Sequence, residues 1–372
     1  ATLEGGTTLV QNETIVTGIG RVQAIEATRP WVRAHYRGGG LAVNVWSNGR
    51  YNREPDRSLS TGLPLIQNAQ ISLGEVQYSF TPLQDLFVVG GVSQRYVNID
   101  TDGTLMTAAR NDNMTGVFGQ LEYTMGWSLK ALVAARWDRS SLHESQFSPK
   151  AALVWTINSQ HSLRATYNRA FQSPNYSELY LNVKHPLRAV IYLGNSKLRP
   201  ETITGYEVGY NGVFGEVVYV TAEAYFNVLE EFVTDLGPGV NPDYLGPIYI
   251  PGDIFPSRQV WSYTNAGEVE ETGIDVGVNI YLSDQLKLGM NASYFTFNVV
   301  SRHPNDVLLP NASEYKVNGG VTYIDPAGWE ASASVKHVPS YPWAAGIYRG
   351  TIKSYSLLNL AGSYPVTPSM RA

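Results

Sequence analysis

The feature that most constrains this chain is a strict alternation of apolar and polar residues over stretches longer than an ordinary strand. In residues 217–228, Val218, Val220, Ala222, Ala224, Phe226 and Val228 fall on one face, and Tyr219, Thr221, Glu223, Tyr225 and Asn227 on the other. Residues 272–282 repeat this with Ile274, Val276, Val278, Ile280 and Leu282 against Gly273, Asp275, Gly277 and Asn279. Residues 127–138, 286–296 and 329–337 follow the same rule, with Trp127 and Trp137, Leu286 and Tyr294, and Trp329 and Val335 on their apolar faces. Period two is the signature of a strand whose two faces meet different surroundings. The stretches run to about 9–14 residues, whereas a globular strand is usually about five or six. A tilted strand that crosses a bilayer needs about 9–11.

The connections carry a second pattern. Short turns are expected at 38–40, 81–84, 125–126, 158–161, 211–215, 283–285 and 325–328, and long polar loops at 47–67, 100–111, 140–146, 171–200, 230–258, 299–313 and 339–351. In an antiparallel meander this alternation puts every short turn on one rim and every long loop on the other, as in outer-membrane barrels. Trp127, Trp137, Trp329, Tyr281 and Tyr294 stand near strand ends, where a half-wet aromatic suits a membrane interface. The expected fold is therefore all-β: an antiparallel up-and-down transmembrane β-barrel sheet of about sixteen strands, with the first thirty residues ambiguous.

Composition narrows the function. The 372 residues carry 27 Lys+Arg against 32 Asp+Glu, a net charge of -5, with no basic stripe for nucleic acid. Cysteine is absent, which removes disulfides, zinc-thiolate sites, iron–sulfur clusters and thiol nucleophiles. No uncharged apolar run reaches the length of a membrane-spanning helix, the longest being Leu86-Phe87-Val88-Val89-Gly90-Gly91-Val92. The mean hydropathy of -0.17 suits a soluble protein and equally a barrel with a polar lumen.

Several blocks in the second half resemble the barrel of TonB-dependent outer-membrane receptors. They are Ser148-Pro149-Lys150-Ala151-Ala152-Leu153-Val154-Trp155; Ser162-Leu163-Arg164-Ala165-Thr166-Tyr167-Asn168-Arg169-Ala170-Phe171-Gln172-Ser173-Pro174 with Glu178-Leu179-Tyr180; and Asn195-Ser196-Lys197-Leu198-Arg199-Pro200-Glu201-Thr202 with Tyr206-Glu207-Val208-Gly209. Asn265-Ala266-Gly267 through Gly273-Ile274-Asp275 continues the match, and Gly119-Gln120-Leu121-Glu122-Tyr123 extends it towards the N-terminus. The resemblance implies part of a barrel of about 22 strands, with a separate N-terminal plug domain in its lumen. No plug is recognised in 1–372, and the tail Val366-Thr367-Pro368-Ser369-Met370-Arg371-Ala372 ends after a turn without a closing aromatic strand. The whole chain is accordingly expected to be a barrel fragment.

The resemblance further implies a Gram-negative-type outer-membrane location and energised uptake of a large scarce solute, such as a ferric siderophore, haem, cobalamin or an oligosaccharide. The implied partners are that extracellular solute, outer-membrane lipid, and a TonB-type energy-coupling protein reached through a plug. No enzyme activity, cofactor or metal is expected. Aromatic and charged residues of the two longest loops are the ligand-binding candidates: Tyr176, Glu178, Tyr180, Arg188, Tyr192, Tyr244, Tyr249 and Phe255. Lys130, Arg136, Arg164, Glu207, Glu223, Asp275 and Lys287 fall on the polar faces and are expected to line the lumen. Two alternatives stay open: a passive porin-type diffusion channel, and a soluble multi-stranded β protein, either a binding module or a glycan-acting enzyme.

The remaining motifs are weak. The six histidines show no metal-ligand spacing, and His143-Glu144 is an isolated loop dipeptide. Gly18-Ile19-Gly20 lacks the third glycine of a dinucleotide fingerprint, and no G-x-S-x-G elbow occurs. The acidic pairs Glu230-Glu231 and Glu270-Glu271 read as solvated rim charges.

Overall fold

The computed structural model describes residues 1–126, 128–345, 348–367 and 370–371. Trp127, with Pro368, Ser369 and Ala372 of the tail, lies outside the described residues, as do Gly346 and Ile347.

One antiparallel sheet forms the wall. It has 18 strands, of which two, Asp56–Ser58 and Pro64–Leu65, are short additions, so 18 − 2 leaves sixteen long ones among the described residues. In chain order these are β1 (Thr2–Thr17), β2 (Gly20–Gly38), β3 (Leu41–Glu54), β4 (Asn68–Leu83), β5 (Leu86–Asp100), β6 (Arg110–Met125), β7 (Leu129–Ser140) and β8 (Gln146–Asn158). They continue as β9 (His161–Gln172), β10 (Glu201–Phe214), β11 (Val218–Val233), β12 (Asn265–Tyr281), β13 (Leu286–Ser301), β14 (Tyr315–Ile324), β15 (Glu330–Val338) and β16 (Tyr355–Ser363). Each long strand pairs with its neighbours in sequence.

Register decides which residues share a face. Val117 pairs with Trp137, and Leu121 with Val133; Val208 pairs with Ala224, and Ile274 with Tyr294. This apolar face carries no second layer: Val133 is 59% exposed, Val208 57%, Met290 59% and Leu360 72%. A soluble sandwich would bury such side chains, whereas hydrocarbon solvates them. Among the described residues no helix is long and apolar enough to cross a membrane; the wall crosses with strands.

The opposite face holds the charges. Lys130 pairs with Glu122 at 3.1 Å, and Arg136 with the buried Asp138 at 2.7 Å while lying over the Phe118 ring. Arg164 bridges Glu207 and Glu223, the latter at 2.9 Å. Glu223 stands opposite Asp275 in the β11–β12 register, and Lys287 lies 5.2 Å from the Tyr281 ring. All seven polar-face residues expected from the sequence thus stand on the side away from the aliphatic band. Tyr281 shares that side with Lys287 rather than joining the outward aromatics. Trp329 lies in the β14–β15 turn, edge-tilted against Tyr323 at 5.2 Å.

Turn chemistry fixes the short rim. The β2–β3 turn has Gly39 at φ 57° and Gly40 at φ 82°, the two positive angles that a tight hairpin demands. A Cβ on Gly40 would also stand 2.3 Å from the Ser79 carbonyl oxygen.

The long rim departs from the sequence expectation in three ways. The strands run further outward, β3 to Glu54 and β11 to Val233, because backbone pairing persists beyond the apolar band. The ambiguous first thirty residues form β1 and most of β2, joined on the long-loop rim by only Gly18 and Ile19. The expected loops contain structure: a helix and two strands within 171–200, two short strands within 230–258 with a third starting at Ser257, and a hairpin, Tyr341–Ala345 with Tyr348–Ile352.

Candidate ligand-binding site at the outer rim

The outer connections condense into a roof. Its core is Leu179, Leu181, Leu198, Leu236 and Tyr263, all nearly inaccessible. Against them rest Ile19, Leu105, Leu142, Val183, Tyr192 and Trp261. These side chains come from five separate connections, so burying this apolar surface ties five loops together.

Local sequence explains the centre. Asn175 caps the helix α1 (Tyr176–Tyr180): its side chain accepts from the Glu178 backbone N–H at 2.9 Å, and the Glu178 carboxylate accepts from the Asn175 N–H at 2.8 Å. This reciprocal box lets a helix of 5 residues persist and turns Leu179 inward. Gly194 passes so close to α1 that a Cβ would lie 2.4 Å from the Tyr180 nitrogen.

Above the core lies a small sheet. Asn182–Lys184 pairs with Val190–Leu193, which runs parallel to Ser257–Ser262; that strand also pairs with Gly237–Pro238 and Ile248–Tyr249. Arg258 staples its two hairpins. The guanidinium is 2% exposed, and Nη1 donates to the carbonyls of His185, Arg188 and Val190, each at 2.9 Å. Nη2 donates to Asp253 at 2.6 Å, and Lys184 reaches the same carboxylate at 3.0 Å. Hydrogen bonds from Arg258, the Phe255 N–H and Lys184 hold the Asp253 carboxyl well below the usual range.

Two cavities open beneath this roof. The first, of about 280 Å³, is lined by Ile19, Val22, Leu65, Ile99, Leu105, Met106 and Leu181, with Tyr176, Tyr263 and Arg50. The second, of about 270 Å³, adds Leu63, Val183, Pro186, Tyr192 and His185 to the hydroxyls of Ser58, Ser60, Thr61 and Thr104. They share Ile19 and Leu65. Arg50 is already engaged by Asp56 at 2.7 Å and the Gln67 carbonyl at 2.7 Å. Burial, then the nearby Asp112 carboxylate, push the Tyr176 phenol far above its ordinary range, and burial does the same to Tyr263. Burial, reinforced by Arg188 and Arg258, lowers the His185 pKa. Its Nδ1 accepts from the Leu187 N–H at 3.1 Å, so the neutral ring presents Nε2–H as a donor. The site is thus mostly apolar with a few neutral donors, the usual make-up of a small-molecule pocket. Among the described residues no group of three or more His, Cys, Asp or Glu side chains is placed to hold a metal.

The structure separates the eight candidates. Tyr176 lines the first cavity and Tyr192 the second. Glu178 serves the helix cap, and Tyr180 lies beneath the Arg110 guanidinium at 3.6 Å. Phe255 stands 5.2 Å from Arg258. Tyr244 closes a 3-10 turn, half-buried. Arg188 and Tyr249 project from the small sheet into solvent. Sequence reasoning missed Ile19, Leu65, Leu105 and Met106, which lie outside the two longest loops. Only the apolar Ile19 between glycines hinted at a tip that touches something.

The family comparison agrees with this architecture. The family described as TonB dependent receptor-like, beta-barrel matches residues 13–372. The chain belongs to that family. Its members are receptors and transporters rather than enzymes, and the wall described above is an outer-membrane barrel. A curated relative, the vitamin B12 transporter BtuB of Vibrio vulnificus (strain CMCP6), is 25% identical over 206 residues, covering 53% of this chain and 32% of the relative. Among solved structures, the ferric enterobactin receptor PfeA of Pseudomonas aeruginosa superposes with a TM-score of 0.71 at 13% identity, over 94% of this chain and 56% of the receptor. The FrpB iron transporter of Neisseria meningitidis gives a TM-score of 0.68 at 13% identity, over 99% of this chain and 61% of the transporter. The chain spans about a third of the curated relative and little more than half of these receptors.

Proposed function

We propose that this chain is the wall and roof of a receptor for energised uptake of a large scarce solute across the outer membrane. That solute would be a ferric siderophore, haem, cobalamin or an oligosaccharide. The observation that carries the reading is the roofed mouth: five outer connections share one apolar core above cavities of about 280 and 270 Å³. A roof of this kind suits capture followed by a driven opening better than free diffusion, which would favour an open lumen. Tyr176 and Tyr192 would contact the solute beneath the roof, and Tyr249 and Arg188 would meet it first from outside. Glu178, Tyr180, Tyr244 and Phe255 would act by holding the loops in place. The charged inner face, with Arg164, Glu207, Glu223 and Asp275, would meet a plug domain through which a TonB-type coupling protein acts. The whole of 1–372 would then be barrel.

The test is transport in cells. The gene product that carries this chain is expressed in a strain stripped of its own siderophore, haem and cobalamin receptors. Labelled solutes of each class are supplied with and without the energy-coupling protein. Saturable uptake of one class that stops when the coupling protein is deleted supports the reading. Uptake that continues without it would assign a passive channel instead.

A further inference from the structure

Not all of the outward face is apolar. On β4, β5 and β6 the aliphatic band runs through Val76, Val92 and Val117, which lie opposite one another. A span of about 9–11 residues from the short-turn rim carries each strand across the bilayer. The strands then continue outward through a row of Gly74, Gln94 and Thr115, with Arg139 opposite Thr115, and the two rows beyond it are polar. Ser72, Tyr96 and Asn113 form one row, and Gln70, Asn98 and Asn111 the next. Ser47 on β3 extends the first row. Gln70, Ser72, Tyr96, Asn98, Asn111 and Asn113, with Val97 and Asp112 of the opposite face, line a depression of about 350 Å³.

The side chains of the two outward rows carry no formal charge and form a partly pre-set lattice, while the Asp112 carboxylate is engaged by the Ser141 hydroxyl at 2.9 Å. Asn98 Nδ2 donates to Asn111 Oδ1 at 2.6 Å, Gln70 Nε2 donates to Ser47 Oγ at 3.1 Å, and Ser47 and Ser72 hydroxyls lie 2.8 Å apart. Among the described residues the Asn113 side-chain amide, the Asn98 oxygen and the Asn111 amide nitrogen have no protein partner. Tyr96 is 59% exposed and stands at the lower edge of the patch. A girdle role explains Tyr96 alone; it does not explain Asn113 beside it or the further row of three aligned amides, Gln70, Asn98 and Asn111.

We propose that this patch binds the neutral saccharide head of a glycolipid in the same leaflet. Position and chemistry converge on that occupant. The patch faces sideways from the wall, just outside the apolar band, so its ligand stands beside the barrel, with its tail against the band. Amides offer paired donors and acceptors to sugar hydroxyls, and the Tyr96 ring offers an apolar platform with a polar tip. A phosphate headgroup would want several Lys or Arg; the two polar rows contain none, and the single Arg139 stands at the edge of the row below them, opposite Thr115, with Asp100 at the upper border. The inference rests on the barrel's outer-membrane location and is independent of what the receptor imports.

The test uses the full gene product in phosphatidylcholine nanodiscs and a fluorescent diglucosyl diacylglycerol as the probe. Saturable binding is expected. The Tyr96→Ala/Asn111→Ala double variant should weaken it about tenfold, which is the loss of roughly one aromatic contact and its bonded neighbour. Tyr96→Phe should stay within about twofold of wild type, since the platform remains. Val208→Ala, in the band on β10 and away from the patch, should leave binding unchanged, which separates the patch from general lipid contact. Unaltered affinity in the double variant overturns the proposal. So does tighter binding of a phosphatidylglycerol probe, equal binding of free maltose, or a dimer of the receptor that the double variant dissolves.

Discussion

Replacing Arg258 by Met should loosen the roof without disturbing the wall. The side chain is 2% exposed and its Nη1 serves three carbonyls at 2.9 Å. Two of those carbonyls keep another donor: Val190 O accepts from the His185 N–H at 3.0 Å, and Arg188 O from the Val190 N–H at 2.8 Å. His185 O loses its donor and becomes a buried orphan, at about 1–3 kcal/mol. The charge-assisted bonds themselves contribute about 1.5–3 kcal/mol. Together these suggest about 3–5 kcal/mol, in line with removal of one partner from a buried charged network. Opening of the small sheet should then become roughly a hundred- to several-thousand-fold more populated. Hydrogen exchange by mass spectrometry in detergent micelles measures this directly. The expected result is lost protection at Val190–Leu193 and Ser257–Ser262, with β11 and β12 unchanged. Lys184→Ala serves as the comparison, because it removes only a half-exposed ion pair and should cost less than about 1 kcal/mol. Unchanged protection in Arg258→Met, or an equal loss across the wall strands, would refute the staple.

Other outcomes follow from the same geometry. Met290→Arg places a charge on the hydrocarbon face and should destabilise the barrel by about 2–4 kcal/mol, read from denaturant titration of folding into vesicles. Gly194→Ala should open the roof, since its Cβ would meet Tyr180 and Leu179 backbone atoms at 2.4–2.6 Å; faster proteolysis confined to 173–200 is the readout. Ile19→Ser withdraws a half-buried apolar side chain shared by both cavities and should cost about 1–2 kcal/mol of roof stability by hydrogen exchange. Because the folded Asp253 pKa is depressed, its contribution is complete above the unfolded value near 4 and fades as pH falls below it. Protection of the small sheet should therefore hold from neutral pH to about 4 and drop only in stronger acid.

The amino-acid sequence alone determined the wall. Alternation such as Ile274 to Leu282 has one solution when the strand is long and one side must meet hydrocarbon, so strand identity, facing and the ordering of rims were local properties. The placement of Lys130, Arg164 and Glu223 on the polar side followed from the same parity. The roof was not legible in that way. Leu179, Leu198, Leu236 and Tyr263 carry no period, and their meeting with Ile19 depends on how far the sheet curves before β10–β12 come round to face β1–β2. Arg258 looked like one loop charge among many until the fold surrounded it with three carbonyls. The two-residue tip at Gly18 and Ile19 showed only an incomplete glycine pattern of no weight, because its meaning lies wholly in distant partners. Strand pattern is written between residues two apart; a roof is written between loops tens of residues apart, and only the curvature of the folded sheet brings those together.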